Sequence, residues 1–131
     1  MAERGQAFFK VIRILSAVVL FVIAGIHLFL VFDGVGGLLG VLFILNVVAA
    51  IVLAIGMLTF RGRLRQIVSV LSLLFIIASL LSLVLALTVG LFGITEVWSF
   101  TLVPETVVIE AIGIVVLAVT STVALRTPRT A

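Results

Sequence analysis

Three polar side chains in an otherwise apolar sequence could carry chemistry: His27, Asn46 and Glu110. His27 is the only histidine in the chain of 131 residues, and Glu110 is an acidic residue deep inside an apolar run. An imidazole and a carboxyl group can pass a proton between them, and an amide can hold a ligand through hydrogen bonds. These residue types therefore indicate a proton site or a ligand site.

Other catalytic and metal-binding chemistries lack the residues that they need. The chain has no cysteine, which excludes disulfides, thiolate metal sites and cysteine nucleophiles. A metal site built from His27, Glu110 and Asp33 would be a sparse ligand set without motif spacing, and one histidine supplies only one axial haem ligand. No G-x-S-x-G nucleophile motif occurs. We therefore predict no enzymatic activity, no metal and no cofactor.

The composition predicts that these residues belong to a membrane protein. Hydrophobic residues make up 65% and charged residues 10% of the chain, against roughly 45–50% and about 25% in ordinary globular proteins. Four apolar runs are long enough to span a bilayer as helices, and none alternates as a barrel strand would. The spans cover about residues 11–32, 38–60, 66–92 and 104–125. We predict an all-α integral membrane protein, a single four-helix domain over residues 1–131 with up-down-up-down topology.

The basic residues predict the orientation of this bundle. They are Arg4, Lys10, Arg13, Arg61, Arg63, Arg65, Arg126 and Arg129, and they fall before span one, between spans two and three, and after span four. An up-down-up-down bundle brings these three segments to one side, which the positive-inside rule identifies as cytoplasmic. We therefore predict a multi-pass protein of the cell membrane with both termini inside. The net charge of +3 follows from this distribution, so we predict no nucleic-acid partner.

All three polar residues lie at a similar depth below the outer ends of their spans. At about 1.5 Å per residue, His27, Asn46 and Glu110 are roughly 8, 12 and 9 Å inside. Polar groups in hydrocarbon are costly and normally face the bundle interior, where they find partners. We expect His27 to be hydrogen-bonded to Glu110 or Asn46 across a helix interface. Two interpretations remain open: a polar clamp that fixes helix register, and a proton or ligand site that opens to the outer face.

Small residues indicate where the helices pack. Membrane helices associate through small side chains that let their backbones approach, and a seven-residue spacing favours a left-handed crossing. The third span carries such a stripe, and the second begins with a glycine cluster. The predicted packing residues are Ser72, Ser79, Ala86, Gly93, Gly36 and Gly40. Because the stripe is longer than one antiparallel neighbour needs, part of it could face another subunit.

The sequence favours a non-enzymatic role in the lipid bilayer. Our leading hypothesis is a structural or accessory subunit that packs with itself, as a homo-oligomer, or with a larger membrane complex. The alternative is a small proton-coupled transporter or ligand-binding membrane protein that uses His27, Asn46 and Glu110. No resemblance to a known family covers enough of the chain to assign roles to further residues.

Overall fold

The computed structural model describes residues 2–126, and within them it is built from four α-helices. They are α1 (Ala2–Phe32), α2 (Gly37–Thr59), α3 (Gly62–Leu87) and α4 (Val103–Arg126). Each is long and apolar enough to cross a membrane. The prediction of an all-helical chain with four candidate spans is therefore confirmed. Arg129, one of the basic residues used to predict orientation, lies outside the described residues.

Three helix boundaries differ from the predicted spans by more than one residue, among them the start of α3 at Gly62 in place of residue 66. The first helix begins at Ala2, well before residue 11, because the polar N-terminal segment continues the helix beyond the apolar run. The third helix ends at Leu87, before the predicted end near residue 92. There the amide of Gly90 donates to the Leu85 carbonyl at 2.7 Å, and Gly90 adopts φ 92°, a left-handed conformation that commonly ends helices.

The helices form a ring in which each contacts the next and α4 contacts α1, with the α2–α3 contact the most limited. The Arg65 guanidinium lies 5.3 Å from the centroid of the Phe9 ring. The Gln66 side-chain amide donates to the Ala124 carbonyl at 3.0 Å. These contacts bring the starts of α1 and α3 and the end of α4 together. We call this the terminal end, and the opposite end, with the connections 33–36 and 88–102, the loop end.

The tightly packed core extends from the middle of the bundle toward the terminal end. Its largest fully buried apolar side chains are Leu20, Ile23, Met57, Ile76 and Leu117. A polar contact supplements them, because the buried hydroxyls of Ser16 and Thr120 lie 2.7 Å apart and link α1 to α4. Each hydroxyl is also bonded to a carbonyl of its own helix, so neither polar group is unsatisfied.

Gly113 makes a close helix–helix contact in this core. A Cβ at this position would lie 2.7 Å from Cγ1 of Val19 in α1 and 3.0 Å from Cδ1 of Ile76 in α3. The fourth helix therefore approaches both neighbours at a distance that only glycine permits. Gly113 is not among the predicted packing residues.

The residues predicted to pack take different positions. Ser72 is completely buried within the bundle. Gly40 is buried against its own preceding connection, where a Cβ would lie 2.8 Å from the Val35 carbonyl oxygen. Gly36 and Gly93 are exposed, and a Cβ at either would meet nothing within 4 Å. Gly93 follows the end of α3, so it does not extend the seven-residue stripe.

Candidate functional site

A cavity of about 410 Å³ lies in the half of the bundle nearer the loop end. All four helices and the 88–102 connection line it, with the largest shares from α2, α3 and the connection. Leu45 of α2 and Ala78 of α3 are lining residues that are also exposed, so the cavity reaches the bundle surface between these helices. Its volume is within the range of about 300–1,000 Å³ that is typical of small-molecule sites.

The cavity exists because the facing helices carry small side chains at this level. Its wall includes Ala49 from α2 and Ala78, Ser79, Ser82 and Ala86 from α3. Protein interiors are normally filled to high density, and side chains of this size leave the α2–α3 interface incompletely filled. Two predicted packing residues, Ser79 and Ala86, thus contribute to the wall of a cavity.

The structure brings the three sequence-predicted polar residues together, since His27, Asn46 and Glu110 all line this cavity. Ser79 joins two of them. The side-chain amide of Asn46 donates to the Ser79 hydroxyl at 3.2 Å, and that hydroxyl is hydrogen-bonded to the carboxyl of Glu110. A serine hydroxyl can accept one bond and donate its proton in another. Ser79 therefore connects α2 to α4, a role that the sequence did not predict.

His27 does not make the bond that the sequence predicted. Its Nδ1 lies 2.8 Å from the Ile23 carbonyl oxygen in the same helix, and its ring meets the Phe43 ring edge-on with centroids 4.8 Å apart. Within residues 2–126, no hydrogen bond joins His27 to Glu110 or Asn46. The predicted direct pair is wrong: Nδ1 of the ring is bonded instead to the carbonyl one turn earlier in α1. In the neutral ring, donation from Nδ1 leaves Nε2 as an acceptor.

Two buried oxygen atoms at this site have no partner among the described residues. They are Oε2 of Glu110 and Oδ1 of Asn46. Glu110 is only 1% exposed, so water is largely excluded from its carboxyl group. An unsatisfied buried acceptor costs about 1–3 kcal/mol. The hydrogen bonding of the site is therefore incomplete, because these two oxygen atoms lack donors.

The cavity is closed toward the terminal end. No lining residue lies on the terminal side of Ala49 in α2, Phe75 in α3 or Glu110 in α4. One turn beyond Glu110, the tight contact at Gly113 begins the filled core. A molecule can therefore reach the site from the loop end or from between α2 and α3, and in this conformation it cannot pass through the bundle.

Glu96 extends the acidic character of the cavity into the 88–102 connection. Its amide donates to the Ala86 carbonyl at 2.8 Å, which folds the connection back over the end of α3. Partial burial raises the pKa of the Glu96 carboxyl. Among the described residues that line the cavity there is no lysine or arginine. Within residues 2–126, no group of three or more His, Cys, Asp or Glu side chains could hold a metal ion.

The hydrogen bonds predict which residues are energetically coupled. We expect a double-mutant cycle of Ser79→Ala with Glu110→Leu to give a coupling near the average of about 0.6 kcal/mol for bonds between membrane helices. The cycle of His27→Leu with Glu110→Leu should give a smaller coupling, because no hydrogen bond joins these two residues within residues 2–126. Unfolding free energies in detergent would measure both cycles. An equal or larger coupling for the His27 pair would contradict the bonding described above.

Comparison with known proteins adds no family assignment. No known protein family matches the sequence, and no curated protein or solved structure matches it either. Function must therefore be inferred from the cavity and its side chains.

Proposed function

We propose that the protein is a non-enzymatic membrane protein that binds a small, largely apolar molecule in this cavity. One observation carries the proposal: polar residues from three helices converge on a cavity of ligand size and leave Oε2 of Glu110 and Oδ1 of Asn46 without partners. A ligand that donates to these oxygens would complete the hydrogen bonding of the site.

The unpartnered oxygens favour a binding site over a register clamp. A clamp stabilises helix packing only when its polar groups satisfy one another, because a partly satisfied buried network is costly. In the Asn46–Ser79–Glu110 chain of hydrogen bonds, the Asn46 amide and the Glu110 carboxyl group are each bonded to Ser79. Each of them also keeps one oxygen atom without a partner. A buried group that keeps such a cost needs a physical explanation, and a ligand that supplies the missing bond is one.

Because the core closes the cavity toward the terminal end, this conformation favours ligand binding over transport. Transport, including proton-coupled transport, would require a second conformation in which the contact of Gly113 with Val19 and Ile76 separates. His27 and Glu110 line the same cavity and could exchange protons with a bound molecule. A transport role is therefore an extension of the binding proposal, with the same side chains as its site.

Ligand-induced stabilisation tests the proposed function directly. The purified protein would be titrated with small apolar molecules that carry one amine, hydroxyl or carboxyl group, and its unfolding temperature recorded. A ligand that binds only the folded state stabilises it by about 2.7 kcal/mol at roughly a hundred times Kd. We expect a saturable rise in unfolding temperature for at least one chemical class. Absence of any saturable rise across the three classes would overturn the proposal.

We further propose that the terminal end faces the cytoplasm, which places the cavity toward the outside. The described basic residues belong to the first half of α1, to the segment around the α2–α3 connection and to the end of α4. We expect Ser99→Cys to react with a membrane-impermeant thiol reagent in intact cells, and Gln6→Cys to react only after permeabilisation. Both residues are exposed, so accessibility within the protein does not limit labelling. The reverse labelling pattern would contradict this orientation.

A structural or accessory role is the second candidate, and a separate observation favours it. In the most apolar stretch of each helix, the share that is buried inside the bundle is lowest for α2 and α3, at 22% and 17%. The side of the bundle that they form could accept a helix from a second copy or from a larger complex. Native mass spectrometry from mild detergent would distinguish the candidates. A stable oligomer that excludes cavity ligands would favour the accessory role, and a ligand-binding monomer would favour the first proposal.

A further inference from the structure

We infer that the molecule bound in this cavity is a protonated amine on an apolar body, with its ammonium group donating to Glu110. This inference rests on the proposed function and specifies the chemical class of its ligand. Three features of the cavity carry it: the hydrogen-bonding groups left unused, the sign of the charges and the nature of the walls.

The buried polar atoms of the site that lack any partner among the described residues are acceptors. Oε2 of Glu110 and Oδ1 of Asn46 are buried without partners. One of the two N–H groups of the Asn46 amide donates to Ser79, and the Ser79 proton is available to the Glu110 carboxylate. A donor on His27 is also occupied, since Nδ1 meets the Ile23 carbonyl. The ligand must therefore bring N–H or O–H donors, and an ammonium group brings several at one atom.

The charges of the cavity select a cation. Glu110 and Glu96 are the acidic side chains in its wall, and no lysine or arginine of the described chain lines it. A buried carboxylate without a counter-ion is strongly destabilised, and an ammonium partner within the same low-dielectric space relieves that cost. An anionic ligand would meet two acids and no compensating base. A neutral alcohol could donate one hydrogen bond but would not offset the cost of ionising the buried carboxyl group.

The walls fit the apolar body of such an amine. Phe43, Phe75 and Phe100 line the cavity, together with several leucines. Aromatic faces attract cations as well as apolar groups, so they are compatible with both parts of the molecule. A hydrated inorganic cation would gain little from contact with these apolar walls. Within residues 2–126 it would also find no cluster of three ligating side chains. The cavity volume of about 410 Å³ suits a molecule with one ring and a short chain.

Three probes that differ in one functional group test the inference: phenylbutylamine, phenylbutanol and phenylbutyrate. Their affinities would be measured at neutral pH by thermal stabilisation and calorimetry of the full chain in detergent. We expect the amine to bind at least tenfold more tightly than the alcohol, and the carboxylate to give no saturable binding. Glu110→Gln, which removes the negative charge, should remove at least tenfold of the amine affinity and reduce the alcohol affinity by a smaller factor.

The outcomes separate the ligand class from the existence of the site. Equal affinity for all three probes, or a preference for the carboxylate, would overturn the amine inference and leave the proposed binding function standing. Absence of saturable binding for every probe would overturn both. If Glu110→Gln does not yield folded protein, Asn46→Leu replaces it and should weaken the amine more than the alcohol. An amine affinity unchanged in the folded variant would also overturn the inference.

Discussion

Replacing Ser82 with phenylalanine is expected to abolish ligand binding while leaving the bundle folded. Ser82 lines the cavity, and its hydroxyl bonds only to the Ala78 carbonyl of its own helix, at 2.7 Å. Within residues 2–126 the substitution therefore removes no hydrogen bond between helices, and it places an aromatic ring in space that the ligand would occupy. We expect affinity for phenylbutylamine to fall at least about a hundredfold, equivalent to about 2.8 kcal/mol. Calorimetric titration of the two proteins would measure the difference.

Leu81→Phe is the matched control for this variant. Leu81 is the preceding residue of α3, it is 55% exposed, and it does not line the cavity. A phenylalanine ring at position 81 therefore lies outside the proposed binding space. We expect wild-type affinity from this control and an unfolding temperature similar to that of Ser82→Phe. Retention of full affinity in Ser82→Phe, or equal losses in both variants, would contradict binding in the cavity.

Gly113→Ala adds a single methyl group and is expected to destabilise the bundle more than the same change at Gly25. The added Cβ would lie 2.7 Å from Cγ1 of Val19. Valine is branched at Cβ and has few alternative rotamers in a helix, so the clash must be relieved by moving α4 away from α1. Overpacking of this kind typically costs about 1–3 kcal/mol. Thermal unfolding in detergent should show a clear fall in the midpoint temperature.

Gly25→Ala provides the control for Gly113→Ala. Gly25 lies within α1, is exposed, and a Cβ added there would meet nothing within 4 Å. Because glycine in a helix interior is about 0.5–1 kcal/mol less favourable than alanine, this change should be neutral or slightly stabilising. Similar effects of the two substitutions would show that the Gly113 contact does not govern packing of the core.

Much of the fold follows from the sequence because the apolar runs are long and uninterrupted. Four runs predict four helices, and glycines or basic residues separate the first three. The end of α3 could not be predicted from hydropathy, since residues 88–92 remain largely apolar beyond Leu87. The helix stops there because Gly90 takes a left-handed conformation and bonds back to Leu85. The pattern of apolar residues does not indicate this local backbone geometry.

This boundary also explains why the sequence alone indicates only a packing role for Ser79. With a helix end near residue 92, Ser79 would lie deeper than the other polar side chains. Measured from the observed end at Leu87, it is eight residues inside, the same number that separates Asn46 from Leu38. The shared depth of Asn46, Glu110 and Ser79 is therefore visible in the sequence once the end of α3 is known.

The position of His27 and the cavity itself depend on side-chain packing that sequence spacing does not determine. Shared depth predicts that His27 lies near Glu110, and both line one cavity. Depth could not predict that Nδ1 of the ring would bond to the Ile23 carbonyl of its own helix. Likewise, a stripe of small residues predicts close approach of helices as readily as empty space. Only the limited α2–α3 contact distinguishes a packed interface from the cavity wall formed by Ser79 and Ala86.

Photoaffinity labelling tests most directly the central claim that a small molecule occupies this cavity. A phenylbutylamine derivative with a diazirine on its ring would be irradiated with the protein, and the modified residues identified by mass spectrometry. We expect labelling at cavity residues from facing helices, such as Phe43 and Leu83, and loss of that labelling with excess phenylbutylamine. Labelling spread over outward-facing residues such as Val52 and Leu74, and insensitive to excess phenylbutylamine, would contradict the claim.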